Sequence, residues 1–190
     1  MVLSSEYPQF PYMDVEDYLT LDRTSKTAKY EYLDGKIRML AGGSPDHSLI
    51  ATNLTAILTY ALRKTPCVVY NSDIRLRLSA SKYVHPDATV TCDEGDRDQT
   101  ESIQYPRVLV EVLSPSTEDI DRGKKLRAYR SYPTLEDYIL IDSLSKTIEV
   151  YHREGKKWVI STYGPGEDVE ILSLDLHIPL EEIYEKTRVK

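Results

Sequence analysis

The chain of 190 residues contains one phenylalanine, one tryptophan and two cysteines. No apolar run approaches the ~20 residues that a membrane-spanning helix requires, which argues against a membrane protein. Two cysteines cannot build a disulfide-rich scaffold. Cys67 and Cys92 sit in apolar, strand-like contexts and are expected to be reduced core residues rather than a disulfide, in keeping with a cytoplasmic location. The N-terminal stretch "MVLSSEYPQFPYMDVEDYL" lacks a basic segment followed by an apolar one, so a signal peptide is not expected. A basic excess is missing as well. Lys and Arg number 24 against 31 Asp and Glu, giving a net charge of −7. That balance argues against a general basic surface for nucleic acid, so any such role must rest on a local site. Internal repeats, low-complexity tracts, Gly/Ser linkers, a P-loop, Cys/His zinc spacing and a Ser-His-Asp order are all missing.

What is present is an ordinary globular composition, 41% hydrophobic and 29% charged. The length suits one domain spanning residues 1–190. Fifteen tyrosines dominate the aromatics, which implies a core with many half-wet edges, because tyrosine joins an apolar body to a polar tip. "MDVEDYLTL" reads as a short helix. "KYEYLDGKIRML" alternates around Asp34-Gly35, a strong hairpin signal. In "GGSPDHS", Ser44 fits a helix N-cap and Pro45 the first helical position. Ile50, Leu54, Ile57 and Ala61 then follow at helical spacing to about Arg63. "CVVYNSDIRLRL" alternates, with Arg75 and Arg77 on the side opposite Ile74, Leu76 and Leu78. "PDATVTC" is a further strand. The acidic stretch "DEGDRDQTESIQY" reads as a mobile loop or one lying over a site. "SPSTEDIDRGKKLRAYRSY" is the second long helix, capped by Ser116 or Thr117. "EDYILID" is a buried strand, "KTIEVYHREGKKWVISTY" a hairpin turning near Glu154-Gly155, and "PLEEIYEK" a closing helix. The expected fold is α/β or α+β, a central mixed sheet flanked by helices, with N-terminal and C-terminal hairpin extensions.

"RVLVEVLSPST" holds the most informative residue. Val108, Leu109, Val110, Val112 and Leu113 read as a strand buried on both faces, with Glu111 among them. A carboxylate there is costly unless paired, protonated or bound to a metal. The plain alternative is an ion pair with Arg107 or a neighbouring arginine. Asp87, after Pro86 at the start of a strand, is by itself an ordinary turn aspartate. If the two strands pair, however, both carboxylates can point to one side of the sheet. Two close acids repel unless a cation separates them, and oxygen-only ligation with retained water suits Mg²⁺ or Mn²⁺. On the second long helix, counting 100° per residue puts Asp121, Lys125, Leu126, Ala128, Tyr129 and Tyr132 in one arc, and Lys124 and Arg127 outside it. Lys125 is therefore the lysine that points towards the sheet and needs a negative partner. An intrahelical pair with Asp121 is the modest alternative, and the two can coexist.

"HPDATV", "VLVEVLSPST" and "DRGKKLRAYRSYPTLEDYILID" together resemble the PD-(D/E)XK nuclease superfamily. More narrowly, the stretch from about Val15 to Glu185, with "YEYLDGKI", "GGSPDHS" and "SLDLHIPLEEIYE", is similar to the Uma family of restriction-endonuclease-like proteins. The resemblance implies a restriction-endonuclease-like core. It also implies a divalent metal held by Asp87, Glu111 and the Val112 backbone carbonyl, and a lysine that positions or activates the attacking water. The superfamily pattern puts that lysine two residues after Glu111, where this chain has Leu113, so Lys125 is the residue that would supply the ammonium. Glu31 is the outer ligand that the resemblance adds, with a solvated hairpin residue as the alternative. His47, in the first turn of its helix, is a candidate phosphate contact or a capping and packing residue. Ser114 is expected to satisfy loop backbone rather than do chemistry. Arg75 and Arg77 either meet a phosphate backbone or form a solvated sheet face.

Two functions follow. One is a Mg²⁺- or Mn²⁺-dependent endonuclease acting on nucleic acid, with DNA the expected substrate and a homodimer the expected assembly. The other is a non-catalytic binding or assembly protein on a nuclease scaffold, which the acidic net charge favours. A two-carboxylate glycosidase ranks last, because it would need neither a metal nor a lysine in the apolar arc.

Overall fold

A computed structural model describes residues 12–40 and 42–190. The reading of the first eleven residues lies outside them. The elements run α1 (Val15–Thr24), β1 (Tyr30–Leu33), β2 (Lys36–Met39), α2 (Pro45–Leu62), β3 (Val68–Asn71), β4 (Arg75–Ser79) and β5 (Lys82–Val84). They continue with β6 (Ala88–Thr91), β7 (Ser102–Ile103), β8 (Pro106–Leu113), α3 (Glu118–Ile120), a π-helical turn (Asp121–Lys125) and α4 (Leu126–Arg130). The chain closes with β9 (Asp137–Asp142), β10 (Ile148–Glu154), β11 (Lys157–Tyr163), β12 (Asp168–Ile171), β13 (Leu176–Pro179) and α5 (Leu180–Ile183).

The central sheet has six strands in the order β11-β10-β9-β8-β6-β3. It is mixed: β8 and β9 run parallel, joined by the α3–α4 segment, and the other neighbours are antiparallel. Strand β8 alternates between two cores. Val108, Val110 and Val112 pack with Ile50, Leu54, Leu58 and Leu62 of α2, alongside α5 and the β12–β13 hairpin. Leu109 and Leu113 face the other way, against Tyr129, Leu135 and Tyr138, with Leu76, Val84 and Ile103 from a second sheet. Burial on both faces is why β8 carries a nearly continuous apolar run. On α2, Leu58 and Leu62 rather than Ile57 and Ala61 complete the buried stripe. The cap of α2 is as expected, the Ser44 side chain accepting from the His47 amide at 3.2 Å with Pro45 at the first helical position.

The second sheet, β2-β1-β5-β4-β7, was not anticipated as a separate layer. The N-terminal hairpin belongs to it. Asp34 and Gly35 both take positive φ, 51° and 85°, the geometry that a two-residue turn requires between right-twisted strands. "CVVYNSDIRLRL" is not one strand. A turn stabilised by Asn71, whose side chain accepts from the Asp73 amide at 3.0 Å, splits it into β3 of one sheet and β4 of the other. Arg75 is consequently not turned outward. It is buried and bonded to Asp22 of α1 at 2.6 Å, whereas Arg77 is exposed. The acidic stretch is anchored rather than loose. Asp96 is buried and accepts from Thr91 Oγ1 and from the Gln104 and Tyr105 amides, spending its carboxylate on closing its own loop.

The cysteines also differ from expectation. Cys67 and Cys92 are joined by a disulfide. Val68 pairs with Thr91 in the β3–β6 ladder, so the next position outward brings the two cysteines face to face. Apolar context alone does not reveal such a cross-strand neighbour. The bond removes the support that reduced cysteines lent to a cytoplasmic location. Among the described residues, no helix is long and apolar enough to cross a membrane.

The tyrosines divide: Tyr30, Tyr70, Tyr132 and Tyr163 are half-buried, as expected of half-wet edges, but others go deeper. Tyr18, Tyr129 and Tyr138 are wholly enclosed, and each hydroxyl has an internal acceptor: the Tyr30 carbonyl, Glu111 and the Asp121 carbonyl.

Replacing Cys67→Ser and Cys92→Ser together should lower the unfolding free energy by about 3.5 kcal/mol, the chain-entropy value for a cross-link of this span. Urea unfolding with and without reductant measures it. Two titratable thiols in freshly purified, unreduced wild type would contradict the disulfide.

Candidate active site

The register of the central sheet assembles the first two groups. Ala88 pairs with Val110 across β6 and β8, so one step outward sets Asp87 level with Glu111. The amide of Val112 donates to Asp87 Oδ2 at 2.7 Å, and His47 Nε2 stands 3.5 Å from the same oxygen. The N-terminal turn of α2 therefore delivers His47 to the aspartate.

Lys125 supplies the third group. It is 3% exposed, whereas Lys124 is solvent-exposed, so the helical phase read from the sequence places the correct lysine inward. The segment is nonetheless not one regular helix. A π-helical turn spans Asp121–Lys125, held by Tyr138 Oη donating to the Asp121 carbonyl at 3.2 Å. Such turns are rare and concentrate at functional sites. The ammonium lies 2.8 Å from Glu31 Oε1, 3.0 Å from Glu111 Oε1 and 3.2 Å from Asp121 Oδ1. The modest alternative, pairing with Asp121, thus coexists with the contact to Glu111. Glu111 is 4% exposed and also accepts from Tyr129 Oη at 2.9 Å. It has no arginine partner among the described residues: Arg107 pairs with Glu136.

Glu31 is no solvated hairpin residue. It is 1% exposed, and its Oε1 accepts the His85 amide at 3.2 Å. Its Oε2 is enclosed with no hydrogen-bond partner among the described residues. Ser114 stays local, with its hydroxyl 3.1 Å from those of Ser116 and Thr117. Four residues missing from the sequence-level site belong to its surroundings. Asp121 and Tyr129 were legible as members of the inward arc, and Tyr138 only as a residue of the buried strand "EDYILID". Arg38 was legible through the hairpin, because a turn at Asp34-Gly35 sets Glu31 opposite Arg38.

These groups open on a cleft of about 940 Å³, lined by Arg38, His47, Asp87, Glu111, Asp121 and Lys125 among others. None of the acidic stretch between β6 and β8 reaches it. Four carboxylates face one ammonium. Burial pushes the Glu111 carboxyl well above the usual carboxylate range, and Asp121, Asp87 and Glu31 add to the rise against the opposing pull of Lys125. Burial likewise raises Asp87. Burial by itself would depress Lys125, but the three carboxylates around it outweigh that effect and hold it well above the usual lysine value.

No trio of His, Cys, Asp or Glu side chains is grouped to hold a metal among the described residues. A site made of two carboxylates and one backbone carbonyl does not require one. Asp87 Oδ1 and Glu111 Oε2 accept no hydrogen bond among the described residues, and Val112 lines the same cleft. An oxygen-only set with room for water fits Mg²⁺ or Mn²⁺.

Raised carboxyl pKa values carry a definite sign. A group whose folded pKa exceeds its unfolded one contributes its stability below the unfolded value and loses it as pH rises through the folded value. Glu111→Gln, which keeps an acceptor for Tyr129 and removes a charge, should therefore be more stable than wild type at neutral pH. The gap should close as pH falls below the usual carboxylate range. Urea midpoints between pH 4 and 8 test this, and a Gln variant that is less stable at every pH would contradict it.

The family model "Uma2: Putative restriction endonuclease" matches residues 15–181. The uncharacterized protein slr1290 of Synechocystis sp. is 38% identical over 186 residues, 97% of either chain. A second Synechocystis protein, the uncharacterized sll1609, is 32% identical over 149 residues, 76% of this chain and 84% of its own. The fold is similar to that of a crystal structure from Anabaena variabilis titled "a putative nuclease belonging to DUF820". Its TM-score is 0.74 at 18% identity, covering 90% of this chain and 97% of that one. The mixed sheet flanked by helices is thus a restriction-endonuclease-like fold, and the chain belongs to the Uma2 family.

Proposed function

We propose that the protein is a metal-dependent nuclease that hydrolyses phosphodiester bonds in nucleic acid, with DNA as its substrate. The observation that carries the reading is a buried lysine in contact with Glu111, beside a second carboxylate, Asp87, at the floor of an open cleft. Asp87, Glu111 and the Val112 carbonyl would hold Mg²⁺ or Mn²⁺. Such an ion polarises a scissile phosphate and lowers the pKa of a bound water. The chain's own groups divide the remaining work. The Val112 amide and His47 fix the orientation of Asp87, and Tyr129 fixes that of Glu111. The ammonium of Lys125 holds the attacking water by hydrogen bond and offsets the negative charge that develops on the phosphate. Glu31 and Asp121 keep that ammonium charged and in place. His47, in the first turn of α2, would also stand beside a phosphate oxygen bound next to Asp87.

The second reading, a non-catalytic binding or assembly protein on the same scaffold, is supported by the net charge of −7, which opposes a polyanion. We also infer a cytoplasmic homodimer built as one 190-residue domain. The dimer is supported by β11, an edge strand exposing Val159 and Ile160, since an unprotected edge invites pairing. A monomer by sedimentation at micromolar concentration would contradict the dimer.

With Mg²⁺ or Mn²⁺ and a mixed panel of DNA and RNA substrates, wild type should cleave. Glu111→Ala and Lys125→Ala should each lose at least a hundredfold in rate, about the contribution of one well-placed electrostatic group. Lys124→Ala should stay within twofold of wild type. Equal activity of wild type and Glu111→Ala, or none in either, would favour the non-catalytic reading.

A further inference from the structure

We infer that Arg38 is a substrate-binding residue, whose guanidinium takes a phosphodiester oxygen of nucleic acid beside the carboxylate–lysine cluster. The inference rests on the nuclease reading for the identity of the ligand, and on Arg38 itself for the site. Arg38 stands directly across β1–β2 from Glu31, and residues paired this way share a face of the sheet. Its side chain accordingly lies on the wall of the cleft that holds Lys125.

The bonding of Arg38 is incomplete. Nη2 donates to the Ser116 carbonyl at 3.2 Å, in the loop that follows β8. Nη1 is enclosed and has no hydrogen-bond partner among the described residues. No carboxylate lies within ion-pair distance of the guanidinium among those residues. Two nearby cations differ: Lys125 contacts three carboxylates, and Lys29 is bonded to Asp73 at 2.6 Å. In a chain with 31 acids, an arginine left unneutralised beside an acidic cluster keeps its charge and the unpartnered Nη1 for an anion from outside. A guanidinium suits phosphate because its planar donors match two oxygens at once.

The surroundings leave room for a backbone. The α2 side of the cleft presents Ala51, Thr52, Thr55 and Ala56, all small. Lys26 also lines the cleft and adds a second positive charge. The cleft thus has an acidic floor and a basic wall. The wall answers the objection that an acidic floor repels a polyanion, because it attracts the phosphates flanking the one that is cut.

Arg38 also joins β2 to the loop after β8, so its loss could act on the fold alone. Salt dependence separates the two roles, because a structural clasp releases no counterions from the ligand. The probe is a fluorescein-labelled 20-base-pair DNA duplex with full-length protein and Ca²⁺, measured by anisotropy over a KCl series, with a melting curve for each variant. Arg38→Ala should weaken binding about tenfold and reduce the slope of log Kd against log salt by about one. Arg38→Lys should restore the slope while recovering only part of the affinity. Unchanged affinity and slope in Arg38→Ala overturn the inference, even if its melting temperature falls. A wild type that binds no duplex overturns it as well. A wild type that binds with the predicted Arg38 dependence but cleaves nothing in Mg²⁺ upholds Arg38 and refutes the nuclease reading instead.

Discussion

One ammonium ion organises the site. Lys125 is enclosed with contacts to Glu31 of β1, Glu111 of β8 and Asp121 at the start of its own π-helical turn. It therefore ties together the second sheet, the central sheet and the segment that crosses between β8 and β9. Removing it would leave three buried carboxylates without a counter-charge, a far larger loss than any exposed ion pair represents. The surrounding tyrosines make sense in this light. Tyr129 and Tyr138 bring apolar bulk to the core beneath the second sheet, and their hydroxyls hold Glu111 and the backbone of Asp121. Their rings also meet edge to face, with centroids 4.9 Å apart, so the positions of the two hydroxyls are set by packing.

The lysine does not balance its surroundings. Glu31, Asp87, Glu111 and Asp121 together outnumber it, and burial adds to the cost of charging Glu111 and Asp87. A fold that served stability alone would replace such a cluster with apolar residues of similar volume. Retained acids whose titration is displaced, at the floor of a cleft, are a pattern characteristic of functional sites. The displacement has a simple chemical meaning: the cluster holds a proton more readily than an ordinary carboxylate does.

Much of this was readable in the chain. Glu111 stood out because it interrupts an apolar run, and Lys125 because one residue along a helix turns the side chain by about 100°. The count succeeded despite the π-helical turn, since Asp121, Lys125 and Tyr129, spaced by four, still form one inward stripe. The same period could not reveal that "CVVYNSDIRLRL" breaks between two sheets, because both halves alternate alike and only the Asn71 turn separates them. Arg75 was misplaced for the same reason: its partner, Asp22, lies on a helix 53 residues earlier. The Cys67–Cys92 bond depends on the β3–β6 register, a non-local fact. Glu31 lay between the two extremes. Its hairpin was plain, but its burial arises only where the second sheet meets Lys125.

If the cluster is a cation site built around Asp87 and Glu111, crystals soaked in Mn²⁺ test that claim most directly, through anomalous scattering. The expected result is a peak at about 2.2 Å from a carboxylate oxygen of Asp87, one of Glu111 and the Val112 carbonyl, with Lys125 still bonded to Glu111. Manganese bound elsewhere with these oxygens unliganded, or no peak at millimolar metal, would contradict the account.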